Sequence, residues 1–207
     1  MHASATATTR RRLLLGAASI VVLAATGAGG ADELSRAPLY TETDLEFLHH
    51  MIVHHEQALT MSELVPERTD RAEFIRFAGY VKRLQAAEIA LMQSLLELAE
   101  ERGQNVHAHH HHLHGDPPMD GMLSSAQMQA LAGASGAEFE RLWLEGMIHH
   151  HQGAIDMAMA QQRHQRETGR RPWGIDVLVE EIIIEQRAEI TRMQAWLRDW
   201  GLTDAEG

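Results

Sequence analysis

The segment Met51-Ile52-Val53-His54-His55-Glu56-Gln57-Ala58-Leu59-Thr60-Met61 recurs as Met147-Ile148-His149-His150-His151-Gln152-Gly153-Ala154-Ile155-Asp156-Met157, at a constant offset of 96 (147 − 51). Phe47 is then matched by Trp143. Further on, Gln85-Ala86-Ala87-Glu88-Ile89-Ala90-Leu91-Met92 recurs as Gln186-Arg187-Ala188-Glu189-Ile190-Thr191-Arg192-Met193, at an offset of 101 (186 − 85). Each unit is read as a helical hairpin, and one hairpin cannot bury its apolar stripe alone. Two such units are expected to pair into an all-α four-helix bundle with pseudo-twofold symmetry.

Helix signals support this reading. Thr43-Asp44-Leu45-Glu46, Ser124-Ser125-Ala126-Gln127 and Ser135-Gly136-Ala137-Glu138 each have the pattern of a capping box, in which the hydroxyl and the acidic or amide side chain satisfy free backbone N–H groups. Pro66, Arg102-Gly103, Arg170-Arg171-Pro172 and Gly201 mark ends. The spacing predicts helices near 43–64, 69–101, 136–167 and 173–200, with a short one near 124–132. No stretch alternates with period two, so strands are not expected. The organisation read from these signals is a first hairpin over 31–102, a linker over 103–123 and a second hairpin over 124–207, with 43–200 forming one bundle domain.

Residues 1–30 are set apart from the fold. Arg10-Arg11-Arg12 precedes an apolar run from Leu13 to Ala25, followed by Thr26-Gly27-Ala28-Gly29-Gly30-Ala31. The run is short of the ~20 residues a spanning helix needs, and the layout is that of a signal peptide. Thr9-Arg10-Arg11-Arg12-Leu13-Leu14 also resembles a twin-arginine export signal. The expected location is periplasmic or extracellular, with no stable membrane insertion after cleavage. The whole chain of 207 residues carries 18 basic and 29 acidic groups, a net charge of −11. That balance argues against nucleic acid and anionic membranes as partners. The absence of cysteine excludes disulfides, thiol catalysis and thiolate-held metals. Metal ions remain as partners, and self-association into a homo-oligomer stays open.

Helical geometry places Leu48, Met51, Ile52, His55, Ala58, Leu59 and Ser62 on one face, with His54 at its edge near His50 and Met61. On the next helix Gln85 and Glu88 fall among Phe74, Phe77, Ala78, Val81, Ile89, Met92 and Leu96. The second unit repeats this with Met147, His151, Gln186, Glu189 and Met193. Two readings stand side by side. His55 with Glu88, and His151 with Glu189, form buried pairs that fix register without metal, or imidazole and thioether groups on facing helices bind a soft or borderline metal, copper first.

The linker adds His107, His109, His110, His111, His112 and His114, six histidines in eight residues, followed by Asp116, Met119, Asp120 and Met122. A tract of this composition cannot build a core. Dense imidazole on a loop binds Cu(II), Ni(II) or Zn(II), so zinc or nickel are alternatives to copper there.

These motifs resemble the domain of unknown function 305 family of CopM-like type. The resemblance is carried by SSAQMQALAGASGAEFERLWLEGMIHHHQGAIDMA from Ser124 to Ala158 and DLEFLHHMIVHHEQALTM at 44–61, and spans about 43–198. It implies a ferritin-like four-helix fold, export, and copper binding, as Cu(I) or Cu(II), in metal tolerance. The positions it implies as ligands are Met51, His54, His55 and Met61 with Gln85, Glu88 and Met92, then Met147, His150, His151 and Met157 with Gln186, Glu189 and Met193.

Enzyme readings fare worse. His54-His55-Glu56-Gln57-Ala58-Leu59 lacks the second histidine of a zinc-protease helix, because Leu59 stands in its place. A ferritin-like di-metal oxidase needs Glu-x-x-His twice plus further carboxylates. Glu46-Phe47-Leu48-His49 supplies one such motif, expected to point away from the core, and its counterpart is Leu142-Trp143-Leu144-Glu145. No catalytic residue is assigned, and the expectation is a non-catalytic metal-binding protein. A purely structural helical module with buried His–Glu pairs remains the alternative.

Overall fold

The first helix is capped two residues earlier than expected. Thr41 is the N-cap of α1 (Glu42–Glu63), its hydroxyl accepting from the Asp44 N–H at 3.2 Å while the Asp44 carboxylate accepts from the Thr41 N–H at 2.8 Å. The box thus spans 41–44 instead of 43–46. Asp44 wins because it is drawn inward and buried, where Gln161 donates to its second oxygen. In this computed structural model residues 38–107 and 119–203 are described. The signal-like segment 1–30 and linker residues His109, His110, His111, His112 and His114 lie outside them.

A 3-10 turn at Val65–Glu67, with Pro66 in its first turn, closes α1. Helix α2 (Ala72–Glu101) starts three residues later than expected, because Thr69 and Arg71 instead bind the buried Glu140 carboxylate; the Arg71 Nε lies 2.8 Å from it. The short α3 (Ser125–Gly133) carries the expected capping box, with Ser124 and Gln127 as partners. Helix α4 (Gly136–Thr168) starts after Ser135, but the Ser135 side chain makes no capping bond. The first free N–H of α4, on Gly136, donates instead to the Arg68 carbonyl at 2.8 Å. Gly169, at φ +66°, ends α4 in the left-handed conformation, and α5 (Ile175–Asp199) completes the bundle. Among the described residues there is no strand, and no helix is long and apolar enough to cross a membrane.

Helix α1 packs along α2, and α4 along α5, as the two hairpins. The hairpins meet through α1 against α4, whereas the α2 and α5 backbones stand farther apart and meet through long side chains, Phe77 lying edge-on to Trp196 with ring centroids 5.0 Å apart. The apolar core falls into two clusters. One joins Leu48 and Met51 of α1, Ile89, Met92 and Leu95 of α2, and Leu178 and Ile182 of α5. The other joins Ala58 and Met61 of α1, Phe74 and Val81 of α2, Trp143 and Met147 of α4, and Met193 of α5. Every long helix contributes to both clusters, and on each the buried side chains between the two contributions are polar.

Candidate metal centre

Those intervening residues form one layer across the core: His54 and His55 on α1, Gln85 and Glu88 on α2, His150 and His151 on α4, Gln186 and Glu189 on α5. All eight are buried, and the four histidines are fully so. Gln85 and Glu88 therefore face inward as their stripe predicts. His54 does not lie at an edge: its ring lies against that of His150, tilted by 36°, with centroids 3.8 Å apart. The pairing joins the two repeats, so a wheel drawn for α1 alone cannot show it.

Each histidine commits its Nε2. His55 reaches the Glu88 carboxylate at 2.9 Å, and His151 reaches that of Glu189 at 2.6 Å. His150 reaches the His54 carbonyl at 2.9 Å, and His54 that of Asp120 at 3.1 Å. The Nδ1 atoms of all four are buried with no hydrogen-bond partner in the protein, as are both amide atoms of Gln85 and Gln186 and the Glu189 Oε1. Burial above all, with the positive charge a protonated His55 would carry beside it, holds His54 down to about 3. The same two effects, with His54 as the neighbour, keep His150 well below the ordinary imidazole value. Both rings are thus neutral at neutral pH. A carbonyl oxygen can only accept, so each donates from Nε2–H and keeps its lone pair on Nδ1. A metal-binding imidazole is held in this way, one nitrogen fixed by a carbonyl or carboxylate and the other free to ligate.

Methionines border the layer. Met51 precedes His55 by one helical turn and Met92 follows Glu88 by one, both in the first cluster, where Met157 packs half-buried. Met147 and Met193 occupy the corresponding places in the second cluster, with Met61. Imidazole nitrogen, thioether sulfur and carboxylate oxygen together fit a soft or borderline cation. Among the described residues, no three or more His, Cys, Asp or Glu side chains converge on one point. A cation here would therefore need thioether or amide ligands as well as imidazole. His107 lies apart from the layer, exposed, with its ring 3.5 Å from Glu100.

Two features escaped the sequence reading. His49 does not point outward: it is buried, and its Nε2 reaches the Val106 carbonyl at 2.7 Å. The second is a strap formed by the residues that follow the histidine tract. Gln57 holds Leu123 through both its amide groups, at 2.7 and 2.9 Å, and Asp120 caps His54. Opposite Gln57 in the repeat stands Gly153, where a Cβ would lie 2.0 Å from the Asp120 carbonyl oxygen. The one available signal was this mismatch, Gln57 against Gly153, inside an otherwise matched motif.

An all-α bundle of two repeated hairpins with a buried histidine layer defines the class of protein. More particularly, the chain belongs to the DUF305 family, a domain of unknown function that matches it over residues 44–197. A DUF305 protein of Streptomyces coelicolor described as secreted is 30% identical, covering 77% of this chain and 92% of that one, with a TM-score of 0.63. A DUF305 fragment from Deinococcus radiodurans is 28% identical over 77% of this chain and 97% of its own, with a TM-score of 0.62. CopM in its Cu(I)-bound form is 28% identical over 78% of this chain and 98% of its own, with a TM-score of 0.58; it has also been solved with Cu(II) and with silver. Comparison with curated proteins finds no match.

Proposed function

We propose that this is an exported, non-catalytic copper-binding protein that sequesters the ion in metal tolerance. The observation that carries the reading is the set of four buried histidines whose Nε2 atoms are committed and whose Nδ1 atoms have no partner, between methionines on both sides. Unpaired buried polar atoms cost about 1–3 kcal/mol each, so a ligand that engages them is favoured. The groups that would hold Cu(I) are the Nδ1 atoms of His54, His55, His150 and His151 with the thioethers of Met51, Met92, Met147 and Met193. Gln85 and Gln186 in the layer, with Met61 and Met157 in the flanking clusters, complete the candidate set. Glu88 and Glu189 orient His55 and His151. Bound copper supplies a soft Lewis acid, and the protein's part is to keep it dry and shielded.

The tract from His107 to His114 is assigned to Cu(II), with zinc or nickel as competitors. Export through the twin-arginine route and cleavage near residue 30 belong to the same reading. That CopM has been solved with copper and silver supports it. Calorimetric titration of the mature protein with and without residues 107–114 tests it. Deleting the tract is expected to remove Cu(II) sites that weaken below about pH 6, because each imidazole must lose its proton before it can ligate. Cu(I) should still bind. Unchanged Cu(II) stoichiometry would refute the tract assignment, and loss of all Cu(I) binding would refute that of the layer.

A second reading draws on the His55–Glu88 and His151–Glu189 bonds, which form without metal. In it the layer only fixes register and the bundle is a scaffold for its histidine-rich loop.

A further inference from the structure

The polar layer is closed on most sides. Helices α1 and α2, and α4 and α5, pack closely, and the strap lies over the α1–α4 side with the Gly121 and Gly153 backbones too close for any side chain between them. The cavities beside α3, on the α1–α2 face and at the α4–α5 turn touch no member of the layer. The α2–α5 side differs. There a groove of about 500 Å³ opens between the helices, lined by Phe77, Tyr80, Glu185, Glu189, Arg192 and Trp196 among others. Glu189 belongs to both the groove and the layer. It is 4% exposed, its Oε2 is 2.6 Å from the His151 Nε2, and its buried Oε1 has no partner in the protein. Glu73 and Glu185, the latter accepting from the Tyr80 hydroxyl at 3.2 Å, are balanced by Arg76 and by Arg192, whose guanidinium lies over Trp196, so the excess negative charge of the groove is that of Glu189.

We propose that this groove is the port through which a copper ion reaches the polar layer, with the free oxygen of Glu189 as the first buried group it meets. The proposal rests on the reading of the layer as a copper site. The ion passes without change of oxidation state, from the water of the groove to a carboxylate already anchored by His151. From there the fully buried imidazoles lie in the same layer and the thioethers border it. A port controls rates in both directions and leaves the equilibrium alone, and this separates it from a ligand.

The test uses the full mature protein, Cu(I) and a chromogenic Cu(I) chelator, following copper loading and stripping by absorbance. Ala188 lines the groove and is exposed, so Ala188→Phe adds bulk there without entering the core. The copper fraction that survives deletion of 107–114 is expected to load and to strip about tenfold more slowly in Ala188→Phe, with unchanged stoichiometry and apo melting temperature. Ala90→Phe, exposed on α2 and outside the groove, should exchange at the wild-type rate. If Ala188→Phe lowers the apo melting temperature, Ala188→Leu takes its place. Wild-type rates in both directions would overturn the port. A wild-type protein whose copper is all lost with the tract would instead overturn the layer as a copper site, a failure of stoichiometry and not of rate.

Discussion

His54 and His150 are neutral because they are buried and near other imidazoles, and this makes stability depend on pH. Their folded values are depressed, His54 to about 3, against about 6.5 in an unfolded chain. The unfolded state therefore binds more protons between those values, so the stabilisation is complete above about pH 6.5 and is lost as pH falls. The limiting slope is about 1.4 kcal/mol per pH unit for each imidazole. Urea unfolding of the metal-free protein should show this decline, with roughly half the slope in His150→Leu. Equal stability at pH 7 and pH 5 would contradict the neutral pair. Neither the ring contact nor the depression was legible in the sequence. A helical wheel ranks His54 by the apolar residues of its own helix, whereas its burial comes from α4 and from Asp120. His49 was misjudged for the same reason, since Val106 reaches it from the far end of α2.

Among the elements, the strap over residues 119–123 is where the two repeats stop being equivalent. Gln57 on α1 grips Leu123, and the aligned Gly153 on α4 admits the Asp120 carbonyl. Gly153→Ala should force the strap off α4, releasing the cap on His54 and the Gln57 bonds, at a cost of about 2 kcal/mol or more. Proteolysis or hydrogen exchange should report faster opening around 119–123. A Gly153→Ala protein with wild-type stability and protection there would show that the strap is not docked. The capping residues make a related point. The box at Ser124 was readable because its partners are three apart and exposed. At α1 the pattern read from the sequence was Thr43 to Glu46, and burial of Asp44 against Gln161 places the box at Thr41 to Asp44 instead.

At the scale of the whole molecule, one polar layer separates two apolar clusters, and the question is what it contributes without metal. Removing one member of a buried pair strands the other, so His55→Ala should cost about 3 kcal/mol. Replacing both, as His55→Leu with Glu88→Met, should return stability to within about 1 kcal/mol of the wild type, because the charge and its partner leave together. Chemical denaturation of the three proteins checks this. If His55→Ala is no less stable than the wild type, the pair does not hold the hairpins. The same double variant should lose Cu(I) if the layer is the copper site and keep it if the layer is only structural. The repeat, the 3.6-residue periodicity and the polar residues on that stripe are local properties of the chain, and from them the all-α bundle and six residues of the layer, His55, Gln85, Glu88, His151, Gln186 and Glu189, could be read, whereas His54 was placed at an edge and His150 came only with the family resemblance. The strand-free topology followed from the same pattern. Which helices touch is a property of packing: α1 against α4 put His54 on His150, and the splaying of α2 from α5 opened the groove onto Glu189. Periodicity reports which way a side chain points from its own helix, but the partner it meets is set by the rotation and spacing of another helix, and no local pattern encodes that.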